Sequence, residues 1–397
     1  MSVLQAIRAF APELERIRHD LHAHPETAFE EVRTAAIVAG ELRRLGLEVH
    51  EGIARTGVVG VLRAGRGGGA IGLRADMDAL PLQEEADLPY RSTVPGKMHG
   101  CGHDGHTAML LGAARYLAQA RDFDGTVYFI FQPAEEGEGG GRLMVQEGLF
   151  QRFPMQAVYG MHNIPGIEAG TFGVMPGPMM ASFDLLDITI RGKGGHAAFP
   201  HEAVDPVLCG ARLVEALQGV VSRRVSPLDS AVVSITTFHA GDTHNVIPAH
   251  ASLSGTVRVF KASVRDAVQA EIERICEGVA LAHGAQIDLK YDRRYPPTIN
   301  TPQEARIALQ AALCLVGPER VLTDGQALMA AEDFAFMLEA CPGAYVWIGN
   351  GTGSQGGCMV HNPHYQFNDA ILPLGSAYWV SLVHACLGGG ETKKEDA

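Results

Sequence analysis

The stretch TVYFIFQPAEE, residues 126–136, decides the fold. A short, almost wholly apolar run is followed at once by a proline and two adjacent carboxylates. Such a run reads as a strand buried on both faces. The same grammar recurs along the chain. AIGLRA (70–75) is followed by Asp76-Met77-Asp78, AVYGM (157–161) by His162, and AYVWIGN (344–350) by a glycine-rich loop that leads to His361. Within HGCGHDGHTA (99–108), the CGHD run (101–104) stands immediately before a helix predicted over 107–120, which precedes the strand at 126–132. Helical patterns also cover 12–18 and 34–45, and VVGVLRA (58–64) is a further strand. Strands interleaved with helices predict an α/β sheet covered on both sides. In such sheets ligands bind in the crevice beyond the carboxyl ends of the strands, and the polar groups just named are all aimed there.

The pattern changes near Ser182. DLLDITIRG alternates as a strand, 205–221 is a helix, SAVVSITTFHAG and HASLSGTVRVF are strands, 264–283 is a long amphipathic helix, and AQIDLKYDR is a last strand. The order β-α-β-β-α-β is that of a ferredoxin-like sandwich. The expected organisation is an α/β domain over 1–182 and 296–397 with a second α+β domain, 183–295, inserted into it.

The bulk composition narrows the function. The chain has 397 residues, 46% of them hydrophobic, and a net charge of −13, which argues against nucleic acid and anionic membrane as partners. No signal peptide and no stretch near the roughly 20 apolar residues of a membrane span is read from it. Seven widely spaced cysteines argue for reduced thiols and a cytoplasmic setting rather than a disulfide framework. The tail GGGETKKEDA is expected to fray.

Five residues beyond the strand ends are metal-ligand types: Cys101, His103, Glu136, His162 and His361. One catalytic ion takes about three protein ligands plus water. Five ligands, with a thiolate or carboxylate able to bridge, suit two ions sharing a site. Glu135 next to Glu136 gives one carboxylate for metal and another to face an activated water, as a general base does. Each residue alone has a bland reading: a lone cysteine is usually a small buried hydrophobe, and a lone Glu-Glu pair is usually solvated. Their shared position beyond successive strands favours the joint reading. His22 and His24 have ligand-like spacing but sit at a helix end, where a capping or supporting role is expected, and His106 could orient His103.

The runs DLHAHPETAFEE, GLRADMDALP, MHGCGHDGHTAMLLGAA, FQPAEEGEGGG, GMHNIPG, GKGGHAAFPHEAVDP, HNVIPAHASLSGTVR, AEDFAFM and VHNPHYQFND resemble the dinuclear metal amidohydrolases. That family includes hippurate hydrolases, N-acyl-amino-acid deacylases and indole-acetyl-amino-acid hydrolases, within the aminoacylase and metallo-carboxypeptidase group. The resemblance runs from near the N-terminus past His361. It implies an α/β/α metallopeptidase-like catalytic domain and an inserted ferredoxin-like lid and dimerisation domain. It implies two divalent ions (zinc, manganese, nickel or cobalt), with Cys101 bridging and His103, Glu136, His162 and His361 as the other ligands. Glu135 resembles the general base and Asp78 a carboxylate that orients a ligand histidine. His196 resembles an oxyanion donor, supplied in related enzymes by the partner subunit. Asn245 and Arg258 resemble substrate-holding residues, Arg258 suited to a free carboxylate. Asp76 departs from the wider group, in which a histidine opens an H-x-D motif; here the motif is D-M-D.

The implied reaction is hydrolysis of N-acyl-L-amino acids, by a homodimer or homotetramer. A dipeptidase or carboxypeptidase would use the same chemistry. A Cys101-dependent thiol hydrolase would leave Glu136, His162 and His361 without a purpose, and a non-catalytic metal-binding protein would need no Glu135.

Overall fold

A computed structural model describes residues 1–354 and 356–388. The tail expected to fray lies, beyond Gly388, outside the described residues. The chain divides into two compact units. The first is Met1–Gly177, Ile299–Gln326 and the chain from Asp333 onward; the second is Pro178–Thr298 with Ala327–Glu332.

The first unit holds an eight-stranded mixed sheet. Its order is Glu48–Ile53, Gly57–Ala64, Gly125–Gln132, Ala70–Asp76, Ala157–Pro165, Gly343–Gly351, Phe172–Gly173 and Val321–Leu322. The four central strands run parallel to one another. The hairpin Glu48–Ile53/Gly57–Ala64 closes one edge antiparallel. Ala70–Asp76 and Gly343–Gly351 are buried at every position, which explains their unbroken apolar sequence: both faces lie under helices. The helix His103–Ala120 begins four residues earlier than its apolar stripe predicts.

Among the described residues one helical segment, Asp369–Leu387, is long and apolar enough by composition to cross a membrane, with mean hydropathy 1.5. This corrects the sequence reading, which found no such stretch. Tyr378, Trp379, Val380 and Val383 of this helix are buried in the core of the unit. A helix enclosed on most sides is apolar most of the way round.

The second unit is a four-stranded antiparallel sheet in the order Ala231–Ala240, His250–Val259, Phe183–Arg191, Gln286–Tyr295. In chain order this is 2-3-1-4, the ferredoxin-like arrangement. Phe183–Arg191 alternates between buried and partly or fully exposed positions. Leu186, Ile188 and Ile190 form a core with Leu213, Leu217 and Val220 of the helix Pro206–Arg224 and with Val268 and Ile272 of Ala262–His283. A short ribbon, Gly195–His196 against Val246–Ile247, was not legible in the sequence. All seven cysteines are free.

Candidate metal centre

The centre is built from the loops and strand ends of the first unit. Gly102 separates two of its residues and adopts φ 93°. A Cβ there would lie 2.3 Å from Asn163 Oδ1 and 2.6 Å from Tyr365 Oη. Only glycine permits that turn, and the turn lets Cys101 and His103 both face one point. Cys101 Sγ lies 3.3 Å from His162 Nε2. The ligand atoms of Cys101, His103 and His162 lie within 4.8 Å of one another, as do those of Cys101, Glu136 and His361, and those of His103, Glu135 and Glu136. Cys101 is common to the first two sets.

Each side chain is aimed by a neighbour. His103 Nδ1 lies 2.9 Å from the Asp78 carbonyl and 3.3 Å from its carboxylate. That bond fixes the tautomer and turns Nε2 inward, where it is buried without a hydrogen-bond partner. The His162 ring binds the Asn163 carbonyl through Nδ1 at 2.7 Å, which leaves Nε2 to face Cys101. His361 Nε2 sits 3.1 Å from Glu136 Oε1, and its backbone N–H donates to the Gly100 carbonyl at 2.8 Å. Asp78 also accepts the Glu136 backbone N–H at 3.0 Å. Glu135 is buried and accepts the Asp333 backbone N–H at 3.3 Å.

An orphaned imidazole nitrogen among a thiol, two further imidazoles and a carboxylate is a donor set that fits divalent metal. The electrostatics argue against the thiol-hydrolase alternative. Burial, then the Glu136 carboxylate, push the Cys101 thiol up. Burial, then His106, hold the His162 imidazole well below its ordinary value. The pair is a neutral thiol facing a neutral imidazole, whereas a cysteine nucleophile needs a lowered pKa.

The descriptions of similar proteins agree. Residues 72–385 match the family described as peptidase family M20/M25/M40. The chain belongs to that family. It is a hydrolase that acts on amide bonds. The chain is 42% identical to the hippurate hydrolase of Campylobacter jejuni, over 96% of this chain and 98% of that protein. It is 41% identical to the N-acetylcysteine deacetylase of Bacillus subtilis, over 95% and 97%. A solved structure of the Bacillus subtilis YXEP protein, described as a dinuclear metal binding peptidase of the M20 family, superimposes with a TM-score of 0.83 at 37% identity, over 95% of this chain and 98% of that one.

In this family member His162 lies inside its strand, Ala157–Pro165, rather than just after it. The strand continues because its parallel neighbour Gly343–Gly351 pairs with it as far as Pro165. Asp76 is buried between Arg74 Nη1 at 2.7 Å and His106 Nδ1 at 2.6 Å. Burial opposes its ionisation, yet His103, Arg74 and His106 hold its carboxyl well below the ordinary range. His106 therefore serves Asp76 and, through Nε2, Asn163 at 2.7 Å, and makes no direct bond to His103. His22 is buried between Asp104 (2.9 Å) and Glu84 (3.2 Å), and His24 caps the helix Ala11–Ala23.

The sequence reading missed Arg74, Gln132 and Asp333, all fully buried. The Asp333 carboxylate accepts from Arg74 Nη2, Gln132 Nε2 and the Gly141 backbone N–H. The available signal was an arginine inside an otherwise apolar strand.

The remaining three residues belong to the second unit. His196 is exposed on the short ribbon opposite Val246, and its Nδ1 accepts from Ala198 N at 3.0 Å. The Asn245 carbonyl accepts from Ala197 N, so Asn245 and His196 sit at the same end of the ribbon. Arg258, half-buried on His250–Val259, stacks 4.3 Å over the Phe183 ring.

Proposed function

We propose that the chain hydrolyses the amide bond of N-acyl-L-amino acids, such as hippurate or an N-acetyl amino acid, to a carboxylate and a free amino acid. The observation that carries this reading is the pairing of Glu135 and Glu136 on one turn, within 4.8 Å of a His103 whose Nε2 has no hydrogen-bond partner. Two divalent ions would be held by Cys101, His103, Glu136, His162 and His361, with Cys101 shared. When bound, they supply the Lewis acidity that activates water and polarises the amide carbonyl.

The chain's own residues supply the rest. Glu135 is the general base: it takes the proton of the attacking water and later gives it to the leaving amine. The Asp333 backbone N–H holds its carboxylate, and Asp78 keeps the His103 ring in one tautomer. By resemblance, His196 is an oxyanion donor, and Asn245 and Arg258 hold the substrate, the guanidinium meeting the free carboxylate. The inserted unit as lid and dimerisation domain, a homodimer or homotetramer, a cytoplasmic setting, and zinc, manganese, nickel or cobalt as the metal are part of the same proposal.

The test is amino-acid release from hippurate, N-acetylmethionine, N-acetylcysteine, N-acetyl-diaminopimelate and several dipeptides, with metal-stripped protein and after adding manganese or zinc. Release that stops on stripping and returns with metal is expected. Activity indifferent to metal would overturn the reading, and dipeptides as the fastest substrates would replace the deacylase with a peptidase.

A further inference from the structure

Two positions of strained backbone meet at one buried carboxylate. Six described residues other than glycine have positive φ: Phe29 (61°), Ala54 (50°), Arg55 (73°), Arg121 (48°), Ala134 (54°) and His361 (62°). His361 belongs to the metal centre. Phe29 and Ala134 donate their backbone N–H groups to one oxygen of Glu31, at 3.0 and 2.9 Å. Thr56, next to Arg55, donates its hydroxyl to the other oxygen at 2.6 Å. Arg55 stacks 4.3 Å over the Phe29 ring. Glu31 is fully buried. Neither its sequence motif nor the proposed chemistry gives it a task.

Ala134 directly precedes Glu135. Its left-handed backbone reverses the chain leaving Gln132, so that Glu135 meets His103 and the Asp333 N–H while Glu136 meets Cys101 and His361. The turn is held from several sides by buried carboxylates. Glu31 receives the N–H of Ala134, Asp78 that of Glu136, and Asp333 that of Gly141. Residues in sparsely populated backbone conformations persist only where their surroundings determine them. Glu31 is that surrounding group for Ala134.

We infer that Glu31 is a positioning residue for the general base: its carboxylate holds the left-handed turn at Ala134 and so fixes the direction in which Glu135 points. This rests on the reading of Glu135 given above. Among the described residues the Glu31 carboxylate bonds to Phe29, Ala134 and Thr56 and to none of the proposed metal ligands, so its loss should act on the chemical step and leave metal and substrate binding in place. A small misplacement of a reacting group is enough to cost about 100-fold in rate.

The experiment compares wild type, Glu31→Gln, Glu135→Gln and the double variant Glu31→Gln/Ala134→Gly on the fastest substrate of the panel, with Mn2+ binding measured separately by electron paramagnetic resonance. Glutamine is isosteric but turns an N–H2 toward donors that need an acceptor. Glu31→Gln is expected to lower kcat at least about tenfold, with KM within about threefold and Mn2+ binding equal to wild type. Adding Ala134→Gly should recover part of the loss, because glycine adopts positive φ without strain. Unchanged kcat, a loss carried wholly by KM, or lost Mn2+ binding would overturn the proposal. Should Glu31→Gln not fold, Thr56→Val, which removes only one hydroxyl from the carboxylate, should show a smaller drop in kcat alone; no drop overturns the proposal equally. Full activity in Glu135→Gln would instead sink the reading of the base. An inactive Glu135→Gln beside a fully active Glu31→Gln would sink the role of Glu31 alone.

Discussion

The two units bury charge in contrasting ways. In the second unit Asp184 is fully buried against Arg265, whose Nε reaches both carboxylate oxygens at 3.0 Å, and Tyr291 donates its hydroxyl at 2.7 Å. Donors and acceptors match, and the cluster is closed. At the strand ends of the first unit, Arg74, Asp76, Gln132 and Asp333 interlock in a similar way, but the residues near them close on one another only in part: Cys101 meets His162 and His361 meets Glu136. His103 Nε2 is left without a hydrogen-bond partner in the interior, where an unmet polar group costs about 1–3 kcal/mol. A closed cluster explains itself as structure. An open one, built at that cost, points to something it receives. The difference separates a buried ion pair from a binding site without appeal to any motif.

The largest effect that could break this contrast is expected at His103. Replacement by asparagine should lower amide hydrolysis at least about 100-fold, beyond the 10–100-fold typical of losing a residue that merely supports a ligand. In the metal-stripped protein the replacement also removes the approach of Nε2 to Asp76 at 3.8 Å and the Nδ1 bond to Asp78, so each protein is compared with itself, with and without metal. Wild type should gain about 2.7 kcal/mol at a metal concentration 100 times Kd, and the variant much less. Denaturant melts with and without Mn2+ make the comparison. Equal metal stabilisation in both proteins would mean that the open cluster is not the metal site.

The closed cluster should behave in the opposite sense. Arg265→Met leaves the Asp184 carboxylate buried without its cation and should cost about 3–5 kcal/mol. The double variant Asp184→Leu/Arg265→Met should recover most of that loss, since an apolar pair of similar volume does without the charges. Circular dichroism melts decide this. A single variant within about 1 kcal/mol of wild type would show that water reaches the pair, and that the two clusters differ less than their geometry says.

The two kinds of cluster were unequally legible in the sequence. Cys101, His103, Glu135, Glu136 and His361 lie in short polar runs beyond apolar strands, so their types and their shared location could be read from the strand pattern. The four-strand alternation of the inserted unit was equally plain, because one face of its sheet is covered by helices and the period-2 signal survives. Contacts between distant segments were not legible. Arg74 and Asp333 are 259 positions apart, and Glu31 and Ala134 are 103 apart. No local pattern joins them. His162 was placed one strand end too early, since strand length is set by the neighbouring strand rather than by the residues themselves. Asp76 could be seen to depart from H-x-D, but its partners could not: Arg74 pairs with it within one strand whose pattern reads as apolar, and the bond to His106 exists only once the helix His103–Ala120 packs against that strand.

The subtlest expectation concerns Glu31, which belongs to neither kind of cluster. Among the described residues the donors to its oxygens are neutral: the Phe29 and Ala134 backbone N–H groups and the Thr56 hydroxyl. Burial raises its carboxyl from 4.5 to about 7, with Asp78 adding to the rise and the Thr56 hydroxyl opposing it. The folded state therefore binds this proton more tightly than the unfolded chain does. Stability from this group is fully present below pH 4.5 and is lost as the pH rises through 7, in a total of about 3 kcal/mol at 1.36 kcal/mol per pH unit. Glu31→Gln cannot titrate. Denaturant melts of the metal-stripped proteins from pH 4.5 to 9 should thus show the wild type losing stability relative to the variant across pH 5–8, whatever the other carboxylates contribute to both. A constant difference across that range would mean that Glu31 stays ionised, and that three neutral donors balance a buried charge as well as an arginine does.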